Sequence, residues 1–137
     1  MSTEHPFAGW NTATNDPFEV HNGPIYWTRD ENGKSRCGFV VERRHCNGMG
    51  AVHGGMLMLL ADYALFSIAR SRMKDQWGVT VSLNSDFTSA AREGDVLYAD
   101  GDVIHETGKM LFVRGRIYTE AATVVGFSGI IRRIRRE

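Results

Sequence analysis

The sequence holds two cysteines, three prolines and no excess of either charge, and each shortage removes a class of protein. Two cysteines cannot make the disulfide framework of a small secreted domain. Cys37 and Cys46 read as lying nine residues apart on one strand, on opposite faces and too distant to bridge, which predicts free thiols in a reducing compartment. Lys plus Arg and Asp plus Glu each number 16, so no general field favours nucleic acid or an anionic membrane as partner. No apolar run reaches membrane-spanning length, and the opening residues MSTEHPF have neither the basic nor the apolar region of a leader. A cytoplasmic protein is expected. At 137 residues, 42% of them hydrophobic, the chain fits one domain, 1–137, with residues 1–22 as an N-terminal arm anchored by Trp10 and Phe18. No self-similarity at a period of roughly 20 to 50 residues indicates a repeat.

Residues 45–64, HCNGMGAVHGGMLMLLADYA, are the stretch around which the rest is organised. Glycines at 48, 50, 54 and 55 let the backbone turn tightly and approach a ligand closely. From 56 to 69 the residues are apolar or small with no Gly or Pro, which predicts a helix buried on most sides. Asp62 breaks that pattern as its one ionisable side chain besides the Tyr63 phenol. A carboxylate there either exits locally to solvent or is placed for chemistry. Amide groups at a helix start carry partial positive charge, so Gly54 and Gly55 can polarise a carbonyl, with Asn47 and His53 as flanking donors. Gly54 and Asp62 are eight residues apart, roughly 12 Å along a helix, too far to act on one carbonyl. Either they do not cooperate or two chains do, with antiparallel helices in a symmetric dimer setting one chain's Gly54 beside its partner's Asp62.

Asn47, the spaced glycines, His53-Gly54-Gly55 and Asp62 together resemble the signature of the hotdog-fold thioesterases of the phenylacetate-pathway (PaaI-like) type, from about Gly23 to the C-terminus. The resemblance implies hydrolysis of acyl-CoA at a site shared by two subunits. Asp62 would be nucleophile or general base, the Gly54 amide would polarise the carbonyl, and Asn47 would position carbonyl or water. It also implies a hydroxyl near the reacting centre at Thr80, and CoA contacts at Ser89-Ala90-Ala91-Arg92 and Gly108-Lys109, with Arg92 and Lys109 as phosphate partners. Each has an ordinary reading too: a β-branched strand residue for Thr80, a loop fastener for His53, solvated turns for the rest. Coenzyme A enters as part of the substrate; no separate cofactor and no metal is expected. The partner is a second copy, as a dimer or as a dimer of dimers making a homotetramer.

The pattern of elements alone says α+β; the resemblance implies the hotdog fold, a curved antiparallel sheet wrapped around one long helix. Strands are expected at 25–28, 36–46, 79–84, 96–105, 110–119 and 123–131, those after the helix forming a meander. Period-two alternation turns one face of 79–84 toward the helix. Phe66, Met58 and Tyr63 are expected to shape the acyl pocket. A thiol nucleophile at Cys46 is disfavoured, since adjacent His45 would point to the opposite strand face, leaving His53 as its activator. The Arg132–Arg136 tail reads as a solvated end. Two rivals stay open: a hotdog acyl-thioester hydratase or dehydratase, which would pair Asp with a His that this chain lacks within a helical turn or two of Asp62, and a non-catalytic acyl-CoA binding or sensing module.

Overall fold

The computed structural model describes residues 4–136; the first three residues of the expected arm lie outside that span. The chain runs β1 (Asn11–Thr12), α1 (Pro17–Asn22), β2 (Tyr26–Arg29), β3 (Ser35–Val40), α2 (Gly54–Ala69), β4 (Trp77–Phe87), β5 (Val96–Glu106), β6 (Met110–Tyr118) and β7 (Thr123–Ile134). All seven strands form one antiparallel sheet in the order β1-β2-β3-β5-β6-β7-β4. α2 packs on it, and the whole is the hotdog arrangement. Among the described residues no helix is long and apolar enough to cross a membrane.

The central helix forms where the sequence removes every obstacle to it. His53 takes an extended N-cap conformation, and the 14 residues after the two glycines contain no helix breaker. Leu60, Ala61, Ala64 and Leu65 are fully buried against Phe39, Leu97, Leu111, Val125 and Ile131 of the sheet. Burying each leucine contributes about 1.5–3 kcal/mol, so this interface is the main source of stability. A 3-10 turn at Arg70–Arg72 ends the helix, and Lys74 and Asp75, with φ of 55° and 56°, reverse the chain into β4.

Four expectations need correction. The strand after the helix does not start the meander: β4 crosses to the far edge and pairs with β7, leaving β5-β6-β7 as the meander. The face of β4 that meets the helix is not the valine face: Thr80 turns its hydroxyl to Asp62 on α2, so by alternation Val79 and Val81 face outward, and a bulge at Val81 follows between the Thr80–Ile131 and Ser82–Ile130 pairs. The expected strand over 36–46 ends at Val40. A short helix at Arg43–His45 follows, so Cys37 and Cys46 share no strand, and both are free. In the arm, Phe18 is 64% exposed; the anchor is Phe7, which lies stacked on Tyr26 and edge-on to Trp10. Aromatic content marks an anchor but does not say which ring is used.

Candidate functional site

The loop before α2 is built by its own polar side chains. Asn47 Oδ1 accepts the amides of Met49 (2.9 Å) and Ala51 (3.2 Å), and the Asn47 amide donates to Ala51 O (2.7 Å). That leaves the Asn47 Nδ2 group as the part of the side chain available to a ligand. His53 Nδ1 accepts the Gly55 amide at 2.8 Å, capping the helix. The amides of Met56 and Leu57 go to His53 O. In the first turn Gly54 alone keeps an N–H with no partner among the described residues. The expectation that both glycine amides point at a ligand therefore narrows to Gly54.

The two glycines are needed for different reasons. A Cβ on Gly55 would sit 3.1 Å from His53 Nδ1 and disturb the cap, whereas a Cβ on Gly54 would meet only Phe87 at 3.7 Å, an ordinary contact. Nothing among the described residues demands glycine at 54.

Two turns further on, Asp62 is half-buried, and its Oδ1 accepts the Thr80 hydroxyl at 2.5 Å. β4 comes close enough for this contact because Gly78 has no side chain: a Cβ there would fall 2.6 Å from Met73 and 2.8 Å from Phe66. The bulge at Val81 lies directly beside Thr80. Asp62 and Thr80 line an open cleft of about 960 Å³ with Phe66, Gly78 and Arg70. A second cleft of about 580 Å³, with Tyr63, Trp27 and Ser67 in its wall, adjoins it through shared residues. Of the expected pocket residues, Phe66 and Tyr63 line these clefts and Met58 does not.

Gly54 lies elsewhere, in a groove of about 290 Å³ with Leu57, Phe87, Ser89 and Ala90. The expected site residues thus fall into two groups separated along α2, Asp62 with Thr80 and Gly54 with Ser89. Arg92 bridges through its backbone to Ala51, and its guanidinium lies 4.0 Å from where a Cβ on Gly50 would stand. Gly108 and Lys109 sit at the opposite hairpin with Arg132 and Arg135, around a separate cavity of about 480 Å³. Within one chain the two expected CoA segments are therefore apart.

Three other residues behave otherwise than their types indicated. Arg133 belongs to no solvated tail: it is buried, bonded to Glu106 (3.0 Å), Arg72 O and Thr107 O (2.7 Å each) and Gly108 O (3.1 Å). His45 accepts the Glu42 amide at Nδ1 (3.0 Å), so its Nε2–H donates to Asn22 O (2.7 Å). Burial holds its pKa below the usual value. Cys46 Sγ contacts Glu42 O, and with His53 engaged by Gly55 neither histidine is free to activate the thiol.

Sequence reasoning gave the arm no role, yet Ala13, Asn15, Asp16 and Glu19 line the Asp62 cleft. A signal was present: Asp16-Pro17 is an N-cap followed by an N1 proline, which places a helix and thereby Glu19.

Comparison with known proteins places the chain in a family and a fold. A family model described as the thioesterase superfamily matches residues 49–125. The Pseudomonas aeruginosa protein named "Putative esterase PA0474" is 34% identical over 109 residues, covering 79% of this chain and 81% of that one. Human acyl-coenzyme A thioesterase 13 is 29% identical over 106 residues, 77% of this chain and 75% of its own. Among solved structures, the Escherichia coli PaaI protein of the phenylacetic acid degradation operon superposes with a TM-score of 0.77 at 26% identity, covering 88% and 86% of the two chains.

Proposed function

Because this chain belongs to the thioesterase superfamily, we propose that it hydrolyses an acyl-CoA thioester to free acid and CoA, at a site assembled from two copies of the chain. The observation that carries this reading is the division of its polar groups into two half-sites on one helix. Asp62 is held by Thr80 at one place, and the Gly54 N–H is unpartnered at another. Neither half hydrolyses a thioester alone: one has a carboxylate without an oxyanion donor, the other a donor without a base. Antiparallel pairing of two α2 helices joins them.

Exposed apolar surface supports the pairing. Trp77, Val79, Val81 and Phe87 all lie on β4, an 11-residue edge strand with one face and one edge uncovered. Such an edge invites a partner. With a second copy seated there, the carbonyl of the thioester would be polarised by Gly54 N–H, with Asn47 Nδ2 beside the same loop. Asp62 would attack the carbonyl carbon or take a proton from the attacking water. Ser89, Arg92, Gly108 and Lys109 are assigned to the CoA moiety, the two cations to its phosphates. The name of the human relative supports an acyl-CoA substrate.

The test is thiol release from aryl-acetyl, hydroxybenzoyl and aliphatic acyl-CoA esters by the native and Asp62→Asn proteins. Release that disappears in Asp62→Asn supports the reading; release unchanged in that variant overturns it. Loss of an enoyl-CoA without thiol release would instead mean a hydratase.

A further inference from the structure

We propose that Glu19, on the short helix of the N-terminal arm, is a second catalytic carboxyl group of this site and protonates the departing sulfur. The inference rests on the preceding reading of Asp62. Its first support is placement. Glu19 stands on the shared wall of the two adjoining clefts, together with Ala13, Asn15, Phe66 and Arg70, and the larger of them contains Asp62 and Thr80. The position is fixed: Asp16 Oδ1 caps the Glu19 amide at 3.0 Å, and Glu19 O accepts the Gly23 amide at 2.7 Å. Its carboxyl group, by contrast, has no hydrogen-bond partner among the described residues. A half-buried carboxyl group left unpaired in a reaction cleft costs free energy unless something outside the chain uses it.

Charge around it completes the case. Facing Glu19 are Asp16 from its own cap, Asp62 and the Tyr63 phenol from α2, and Arg70 from the turn after it. Asp75 and Arg136, paired at 3.8 Å, stand at the far rim. The Arg70 guanidinium lies 3.9 Å over the Trp27 ring, and no hydrogen bond joins it to Glu19 among the described residues. Burial first, then the carboxylates of Asp16 and Asp62, push the Glu19 carboxyl up to about 7, so it keeps its proton on the acid side of neutrality and loses it above. A carboxyl group that keeps its proton up to about 7 can serve as the acid of the reaction for which Asp62 is the base.

The step balances. Water oxygen bonds to the acyl carbon, the C–S bond breaks with its electron pair going to sulfur, and sulfur takes the Glu19 proton to give the free thiol. Glu19 then recovers one proton of the attacking water through Asp62, and the other remains with the acid product.

The experiment is the pH profile of kcat/KM, by thiol release from acyl-CoA between pH 5.5 and 9, for native, Glu19→Gln and Asp62→Asn proteins. The native profile should fall above about 7. At pH 6 Glu19→Gln should be about 10- to 100-fold slower, below the usual general-acid contribution because a thiol of pKa about 8.5 leaves readily unaided. Its profile should lack the fall and meet the native one near pH 9, where the native proton is gone. A native profile flat through 7, or a Glu19→Gln loss of the same factor at every pH, overturns the inference. If Asp62→Asn is inactive in that case, the Asp62 reading survives and Glu19 alone fails. An active Asp62→Asn protein overturns both.

Discussion

Thr80 donates its hydroxyl proton to Asp62 across 2.5 Å, from an edge strand onto the middle of the buried helix. The bond engages one carboxylate oxygen of a residue that lines the cleft. Removing it without changing shape isolates its worth. Thr80→Val is expected to lower kcat about 10- to 100-fold, the equivalent of one hydrogen bond to a charged group, with little change in KM. Thr80→Ser should keep most of the activity. Steady-state kinetics on an acyl-CoA ester decides it; equal rates for native and Thr80→Val would make the contact structural.

Substitutions at Gly54 and His53 are expected to separate activity from stability. Gly54→Pro removes one N–H at the first helical position, where proline is well tolerated, and its Cβ meets only an ordinary contact with Phe87. Stability should therefore stay near native, while kcat falls about 10²- to 10³-fold, as for loss of an oxyanion donor. His53→Ala should do the reverse. Losing the cap on Gly55 N–H costs about 1 kcal/mol of stability, and kcat changes less than in Gly54→Pro. Thermal unfolding and kinetics on both variants check the split.

Asp62 and Thr80 differ in what the sequence alone made legible. The helix, its burial and Asp62 as its one carboxylate follow from an unbroken apolar run, and α2 spans it. Family likeness was needed to raise Thr80 above an ordinary strand residue. It becomes distinctive because Gly78 and the Val81 bulge bring it onto Asp62, and neither tertiary effect leaves a periodic trace. The crossing of β4 to pair with β7 was invisible for a related reason: alternation reports that a residue run is a strand, not which neighbour it takes. Arg133 was misread because four arginines in a short segment look solvated until a pocket of three carbonyls and a carboxylate is folded around one of them.

Arg133 predicts an acid-dependent stability. Hydrogen bonds from Arg133 and then Arg72 hold the Glu106 carboxyl below its ordinary value of 4.5. A folded pKa below the unfolded one means a contribution fully present above about 4.5 and lost as pH falls through the lower folded value. Denaturant midpoints should therefore drop below pH 4.5 in the native protein. In Arg133→Met the midpoint should be lower at neutral pH, and that Glu106-linked part of the acid drop should shrink. An undiminished acid drop in the variant would exclude the pair as its source.

His45 and Glu19 pull stability in opposite directions near neutrality. The His45 ring, buried and neutral, resists a proton that the unfolded chain accepts below 6.5, so its contribution falls as pH falls through that value. Glu19 holds its proton up to about 7 when folded but only to 4.5 when unfolded, so its contribution is present below 4.5 and lost as pH rises to 7. Glu19→Gln should thus remove the decline with rising pH and leave the His45 slope exposed. Unfolding midpoints of both proteins across pH 4.5 to 8 would show it; parallel curves would contradict it.

If one site needs Asp62 from one chain and Gly54 from another, two inactive variants should restore activity to each other. Asp62→Asn and Gly54→Pro proteins, each inactive alone, are co-produced so that mixed pairs form. In a mixed pair one site carries both substitutions and the other carries neither. Random pairing makes half of the pairs mixed, so about a quarter of native thiol release should return. Recovery near that level is the predicted result. No recovery, in a preparation shown to contain mixed pairs, would contradict the shared site.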